Sequence, residues 1–184
     1  MLSWLAPLKW VTMETLEKWH DFFILVGTAA GTLVGLTFVA ASIGAGLFTG
    51  KLKDVMGAFI TPTIIHFSSV LFVCIVVMAP SLSSVSLAAF TGVIALIGIG
   101  YSCSTLLRIS NRYSSATSFM DRLWYALTPA GGYLILAIAA VAPLIRSSPM
   151  RPSWVAIAVS ILLLAGIRNA WAITAWIATQ PRKD

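Results

Sequence analysis

Five apolar runs, each long enough to cross a bilayer as a helix, constrain this chain more than any other feature of its sequence. A transmembrane helix needs about 20 mostly apolar residues to cross roughly 30 Å of hydrocarbon. The runs cover residues 22–48, 55–78, 85–107, 123–145 and 154–178. Turn and helix-breaking residues separate them. The sequence therefore predicts an all-α, polytopic membrane protein with a single helical bundle over residues 22–178.

The composition places the chain in a membrane and not in water. Hydrophobic residues make up 59% of the 184 residues and charged residues 10%, whereas soluble domains have about 45–50% and about 25%. The net charge of +6 comes mostly from basic residues that flank the apolar runs, where such residues meet anionic lipid head groups. We therefore expect contact with the lipid bilayer and no nucleic-acid partner.

The distribution of Lys and Arg predicts the orientation, because cytoplasmic loops are enriched in both residues. With five spans, successive loops alternate between two faces. One face carries Lys9, Lys18, Arg146 and Arg151, and the other carries Lys51, Lys53, Arg108, Arg112, Arg122, Arg182 and Lys183. This excess predicts an external N-terminus and a short cytoplasmic tail at residues 179–184.

Residues 1–21 form an extension ahead of the first span. They are not typical of a secretory signal, because Lys9 and several tryptophans interrupt any apolar core. Thr12 can cap a helix that meets no breaker before the glycines of the first span and continues to Phe48. We expect the part before Asp21 to be amphipathic, and either to project outward or to lie at the membrane interface.

The first span contains a glycine repeat that favours close helix packing. Gly27, Gly31 and Gly35 recur every four residues among Ala, Thr and Ser. Small residues on one face let helix backbones approach closely in lipid. The sequence leaves two alternatives open, which are packing within one chain and an interface between the subunits of a homo-oligomer.

Two stretches of this region also carry a resemblance. They are Trp19–Phe23, which reads WHDFF, and Gly27–Ser42, which reads GTAAGTLVGLTFVAAS. The sequence here resembles the first span of a group of small, uncharacterised bacterial multi-pass membrane proteins. The resemblance implies a bacterial inner-membrane location and implies no activity, cofactor or functional residue.

An ionisable side chain inside hydrocarbon is costly and is a functional candidate by default. His66 is near the middle of the second span, and it shares a helix face with Pro62 and Ser69, next to Thr63. These residues are candidates for the lining of a pore or cavity. The alternative is a hydrogen-bonded histidine in a packed core.

Arg168 is the second ionisable residue inside a span. It shares a helical stripe on the fifth span with Ser160 and Trp171. This stripe is a second candidate pore face, and with Arg168 as its fixed charge a pore would favour anions or small neutral solutes. The alternative is that Arg168 extends past Trp171 toward the cytoplasmic head groups.

Two prolines inside spans are candidate hinges. Pro62 interrupts the hydrogen-bond ladder of the second span, and Pro129 does so near the start of the fourth span, just before Gly131 and Gly132. Each proline can act as the hinge of a gate, or it can produce only a kink that helps the helices to pack.

Several classes of chemistry lack the residues that they need. No Asp or Glu is at the centre of any span, which disfavours proton coupling. The sequence shows no zinc-type or haem-type ligand set, and Ser102 and His66 fall at depths too different for a catalytic pair. Cys74 and Cys103 are expected to be buried and unpaired. We therefore expect no metal, no cofactor and no enzymatic activity.

Two functions remain. The first is a homo-oligomeric channel or pore for small anions or neutral solutes. The second is a non-transporting assembly or regulatory subunit that contacts a partner membrane protein through its helices. Water access to residues 66, 69 and 168 would distinguish them.

Overall fold

The computed structural model describes residues 6–44, 51–80, 82–112, 123–146 and 150–178, and the side chains of a shorter set within them. Five long helices make up almost all of these residues. They are α1 (Ala6–Gly44), α2 (Lys51–Met78), α3 (Ser84–Arg112), α4 (Thr128–Arg146) and α5 (Pro152–Ala178). A π-helical turn, Leu123–Leu127, leads directly into α4. The described residues contain no strand.

All five helices are long and apolar enough to cross a membrane. The prediction of an all-α polytopic fold is confirmed, and the chain is an integral membrane protein. The apolar spans cover residues 18–42, 60–78, 84–108, 124–145 and 152–172, close to the predicted runs. Helix α1 begins at Ala6, ahead of the predicted start at Thr12. The predicted tail, residues 179–184, lies outside the described residues, as do most side chains of the predicted amphipathic extension.

Helices α2 and α3 form a tight hairpin between the second and third spans. Helix α2 ends at Met78 and α3 begins at Ser84. The Ser83 hydroxyl accepts a hydrogen bond from the Ser86 backbone N–H at 3.1 Å, as a helix N-cap does. The Ser83 carbonyl accepts a further bond from the Leu87 N–H at 2.9 Å. This cap satisfies N–H groups that the first turn of α3 leaves free.

The core of the molecule is a ring of four helices. Helix α2 packs against α3, α3 against α4, α4 against α5, and α5 against α2, so that α2 and α4 face each other diagonally across the axis. Helix α1 lies outside this ring and packs against α2 and, less extensively, α5. Helices α1 and α2 run antiparallel, since Gly27 contacts Cys74 and Gly31 contacts Leu71. Helices α3 and α4 also run antiparallel, since Gly92 contacts Ala140 and Gly98 contacts Tyr133.

The three glycines of the repeat in α1 have different surroundings. A Cβ at Gly27 would lie 3.0 Å from the Cβ of Cys74, and one at Gly31 would lie 3.7 Å from Leu71, so both positions pack against α2 within the chain. A Cβ at Gly35 would meet nothing within 4 Å, and Gly35 is exposed. Of the two alternatives for the repeat, packing within the chain therefore holds for the first two glycines.

The two cysteines differ in their surroundings. Cys74 is buried and unpaired, as predicted, whereas Cys103 is unpaired and exposed. The prediction of burial is wrong for Cys103, because α3 turns this residue away from the helix ring. An apolar residue inside a span can face lipid as readily as it faces the core.

Candidate functional site

The bundle has one end at the α2–α3 hairpin, here called the hairpin end, and one end where α5 runs toward the C-terminus, here called the tail end. Among the described residues, six buried residues are polar or charged. They are Thr63, His66, Thr91, Ser102, Thr105 and Asn169. All except Thr91 fall in the half of their span nearer the tail end. Thr91 satisfies its hydroxyl within its own helix, by donating to the Leu87 carbonyl at 2.7 Å.

A chain of three side chains joins α2 to α4 across the axis of the ring. The Tyr133 hydroxyl donates a hydrogen bond to Ser69 Oγ at 2.9 Å, and it lies 3.1 Å from His66 Nδ1. Tyr133 is fully buried, and His66 is 1% exposed. This histidine–tyrosine–serine network connects two helices that face each other diagonally.

The Tyr133 oxygen lies within hydrogen-bond distance of both Ser69 Oγ and His66 Nδ1. The tautomer of His66 decides which of its ring nitrogens donates and which accepts. The Nε2 atom of His66 is buried and has no hydrogen-bond partner among the described residues.

A glycine on α3 makes room for the tyrosine ring. A Cβ built at Gly98 would overlap the Cε1 and Cδ1 atoms of Tyr133. The ring thus lies directly on the backbone of α3 and fills the space between α3 and α4. A second glycine has a similar role in α5, where a Cβ at Gly166 would lie 2.5 Å from Cε1 of Phe67.

A second polar group lies where α5 meets the π-helical turn. Pro129 has no N–H to offer to the carbonyls of the preceding turn, and the chain adopts the π-helical form at Leu123–Leu127. The Asn169 amide nitrogen donates to the carbonyl of Trp124 at 3.5 Å. This bond from α5 supplies a donor for a carbonyl in the turn next to Pro129. The Oδ1 atom of Asn169 is buried and has no partner among the described residues.

Arg168 lies beside Asn169 on a different side of α5. Its guanidinium carbon is 5.6 Å from the centroid of the Trp124 ring, within the range of a cation–π contact. The side chain is half-buried, and its Nη1 atom is buried and has no partner among the described residues. Trp124 therefore contacts both neighbours, Asn169 through its carbonyl and Arg168 through its ring.

The two predicted pore faces differ in burial. On α2, Pro62, Thr63 and His66 are buried and Ser69 is half-buried, so this face points to the bundle axis. The α5 stripe faces mostly outward: Ser160 is half-buried, whereas Trp171 is 71% exposed. The lining role of both faces stays a prediction.

Sequence reasoning missed the partners of these residues. Tyr133 and Asn169 carry no charge and so did not stand out in an apolar span. Asn169 continues the inward stripe of α5, which includes Val155, Val159 and Leu162, all with 0% exposure. An asparagine at this spacing among apolar residues was the available signal, since a buried amide needs partners. No comparable signal marks Gly98.

The described residues contain no group of three His, Cys, Asp or Glu side chains that could hold a metal ion. Comparison of the chain with protein-family models, with curated proteins and with solved structures finds no match.

Proposed function

We propose that the protein is a membrane channel for small solutes, whose path includes a polar chamber in the tail-end half of the bundle. The observation that carries the proposal is a set of buried polar atoms that have no partner in the part of the chain that the structure describes, namely His66 Nε2, Asn169 Oδ1, Arg168 Nη1 and Ser102 Oγ. Leaving such an atom unpaired in an apolar medium costs several kcal/mol, roughly 2–7 for a neutral group. Buried polar groups in proteins pair with protein, ordered water or a ligand. The chamber therefore suits water or a small polar solute.

The core is polar in its tail-end half and apolar in its hairpin-end half. The hairpin-end half is filled by apolar side chains, including Val73, Val77, Ala139 and Val155. Hydrophobic constrictions close channels by excluding water. In the proposed mechanism, solute enters from the tail end, reaches the histidine–tyrosine–serine network, and crosses only when the helices separate in the hairpin-end half. Pro62 and Pro129 lie in the tail-end half, where they can serve as hinges.

We also propose that the channel is a homo-oligomer in a bacterial inner membrane, with its tail end in the cytoplasm. The exposed Gly35 on α1, with open space around it, supports close approach of a second helix. The excess of Lys and Arg near the tail end supports the orientation.

Solute flux into proteoliposomes tests the channel. We expect the purified protein to raise the permeability to small polar solutes above that of empty liposomes, and His66→Phe to abolish most of the increase by removing a polar group from the path. His20→Phe is the matched control, because His20 is exposed at the hairpin end next to Asp21. Flux equal to that of empty liposomes with folded protein would overturn the proposal.

A second candidate function is an assembly or regulatory subunit for another membrane protein. The feature that favours it is the outer side of α1, where Thr28, Thr32 and Gly35 are exposed. A cysteine at position 35 should then crosslink in native membranes to a different protein and not to a second copy of this chain. A crosslinked homodimer would support the channel assembly instead.

A further inference from the structure

We propose that the π-helical turn Leu123–Leu127 is a switch segment with two hydrogen-bond registers, and that Asn169 of α5 holds it in the π-helical one. Three features carry this inference. They are the turn itself, a proline two residues after its end, and the side-chain bond from α5 to the Trp124 carbonyl. The inference concerns the conformation of the bundle and does not depend on whether a solute passes through it.

The proline removes the backbone donor of one particular carbonyl. In a π-helix a carbonyl accepts from the N–H five residues further on, whereas in an α-helix it accepts from the N–H four residues further on. The π-helical partner of the Trp124 carbonyl is therefore residue 129, which is proline and has no N–H. The π-helical register thus places the Trp124 carbonyl opposite the proline.

Asn169 supplies a hydrogen to this same carbonyl. Its Nδ2 atom donates to the Trp124 carbonyl at 3.5 Å, and the asparagine has 0% exposure. In a bilayer, a backbone carbonyl that lacks its helical partner must find another donor within the protein. The bond from Asn169 therefore stabilises the π-helical register selectively, because the α-helical register does not need it.

The α-helical register is the available alternative. In that register the Trp124 carbonyl accepts from the N–H of residue 128, four residues further on. The position opposite the proline then passes to the carbonyl of residue 125. Each register thus places one carbonyl opposite Pro129, and the contact with α5 selects between them.

A change of register would also move the Trp124 side chain. At 3.6 residues per turn and 1.5 Å per residue, a shift by one residue rotates the backbone by about 100° and moves it by about 1.5 Å. Trp124 contacts Asn169 through its carbonyl and Arg168 through its ring, whose centroid is 5.6 Å from the guanidinium carbon. Both contacts with α5 would therefore break in one step, and the chain would enter α4 from a different direction.

Carbonyl NMR on the protein in bilayers tests the switch. Trp124–Tyr125 is the one Trp–Tyr pair in the sequence, so labelling with ¹³C-carbonyl tryptophan and ¹⁵N-tyrosine isolates the Trp124 carbonyl signal. A sample that also carries ¹⁵Nδ2-asparagine reports its contact with Asn169, and Asn111→Gln removes the signal of the other asparagine. We expect the wild-type protein to show this contact. Its absence would overturn the inference.

Pro129→Ala restores a backbone N–H, leaves Asn169 in place, and favours a helix. We expect the Trp124 carbonyl to accept from the backbone of a continuous α-helix, so that its contact with the Asn169 nitrogen is lost. Pro143→Ala is the matched control, because Pro143 is a second proline inside α4, and the contact should remain in that variant. If the contact persists in Pro129→Ala, Asn169 does not act through the proline and the proposal is wrong.

Asn169→Leu removes the side-chain donor and keeps the proline. With two registers available, the Trp124 carbonyl takes the N–H of residue 128, so its ¹³C signal should move in the same direction as in Pro129→Ala. With a single π-helical register, the carbonyl would lose a donor in one variant and gain one in the other. Shifts in opposite directions would therefore exclude the switch. If Asn169→Leu does not fold, the result with Pro129→Ala decides.

The double variant completes the test. In Pro129→Ala the continuous α-helix no longer uses Asn169, so adding Asn169→Leu should leave the Trp124 carbonyl signal where Pro129→Ala alone places it. Two residues that act through one interaction show such non-additivity. A further shift of the signal, equal to that of Asn169→Leu in the wild-type background, would show that the two residues act independently and would contradict the proposal.

Discussion

Gly98 has no room for a side chain, because the ring of Tyr133 lies directly on it. We expect Gly98→Ala to displace the ring and lower the free energy of unfolding by about 1–3 kcal/mol, as overpacked cores do. The measurement is reversible unfolding in mixed micelles. Gly100→Ala is the matched control, since a Cβ at Gly100 meets nothing within 4 Å. Equal stability of the two variants would contradict this packing.

The Tyr133 hydroxyl is the centre of the network that joins α2 to α4. We expect Tyr133→Phe to lower the free energy of unfolding by about 1 kcal/mol, in line with hydrogen bonds measured between membrane helices. A double-mutant cycle with Ser69→Ala should show coupling, because each change removes one end of the same bond. Additive effects of the two changes would show that the bond contributes nothing to stability.

At the scale of residues, the sequence predicts the ionisable members of the site and misses the neutral ones. His66 and Arg168 stand out because a charge in hydrocarbon is costly. Tyr133 and Asn169 are uncharged, and uncharged polar residues occur in membrane spans for many reasons. Their role follows only from which helices are neighbours, and the sequence pattern does not specify that.

At the scale of helices, α1 offers a matched pair of glycine substitutions. Gly27 packs against Cys74, whereas Gly35 faces open space. We expect Gly27→Leu to separate α1 from α2 and lower thermal stability, and Gly35→Leu to leave the fold of the single chain unchanged. Thermal unfolding and the oligomeric state in detergent check both. If Gly35→Leu abolishes a wild-type oligomer while the chain stays folded, Gly35 lies in the subunit interface. Loss of folding in Gly35→Leu would contradict the open surroundings of this position.

The helices themselves could be predicted closely, because length and apolar content suffice to define a span. The π-helical turn at Leu123–Leu127 could not. Its sequence signal is Pro129 alone, and a proline in a span equally produces a simple kink. Asn169, which comes from another helix, donates to the Trp124 carbonyl of this turn, and the sequence does not predict that contact.

At the scale of the whole molecule, the Lys and Arg distribution predicts which face meets the cytoplasm. In a variant lacking Cys74 and Cys103, we expect Leu82→Cys, exposed at the hairpin end, to react with an impermeant maleimide added outside intact cells. Arg108→Cys, near the tail end, should react only after the membrane is opened. The basic excess persists in this variant, so the orientation should not change. The reverse labelling pattern would invert the topology.

The arrangement of the helices is the part of the fold that the sequence does not predict. In water, an apolar stripe identifies the buried face of a helix. In lipid, Leu, Ile and Val suit either surroundings, and large apolar side chains such as Leu25, Leu96 and Ile145 are more than 60% exposed. The ring of α2 to α5, with α1 outside it, therefore comes from the structure alone.

The contact between Gly98 and Tyr133 also bears on how sequences of this fold can diverge. A side chain at position 98 and an aromatic ring at position 133 compete for one volume. In relatives, the two positions should therefore change together. Position 98 should carry a residue larger than glycine only where position 133 carries a residue smaller than tyrosine. Such a relative would lose the tyrosine hydroxyl and, with it, the bond that orients His66. The two positions thus form a signature by which loss of the polar network can be recognised from sequence alone.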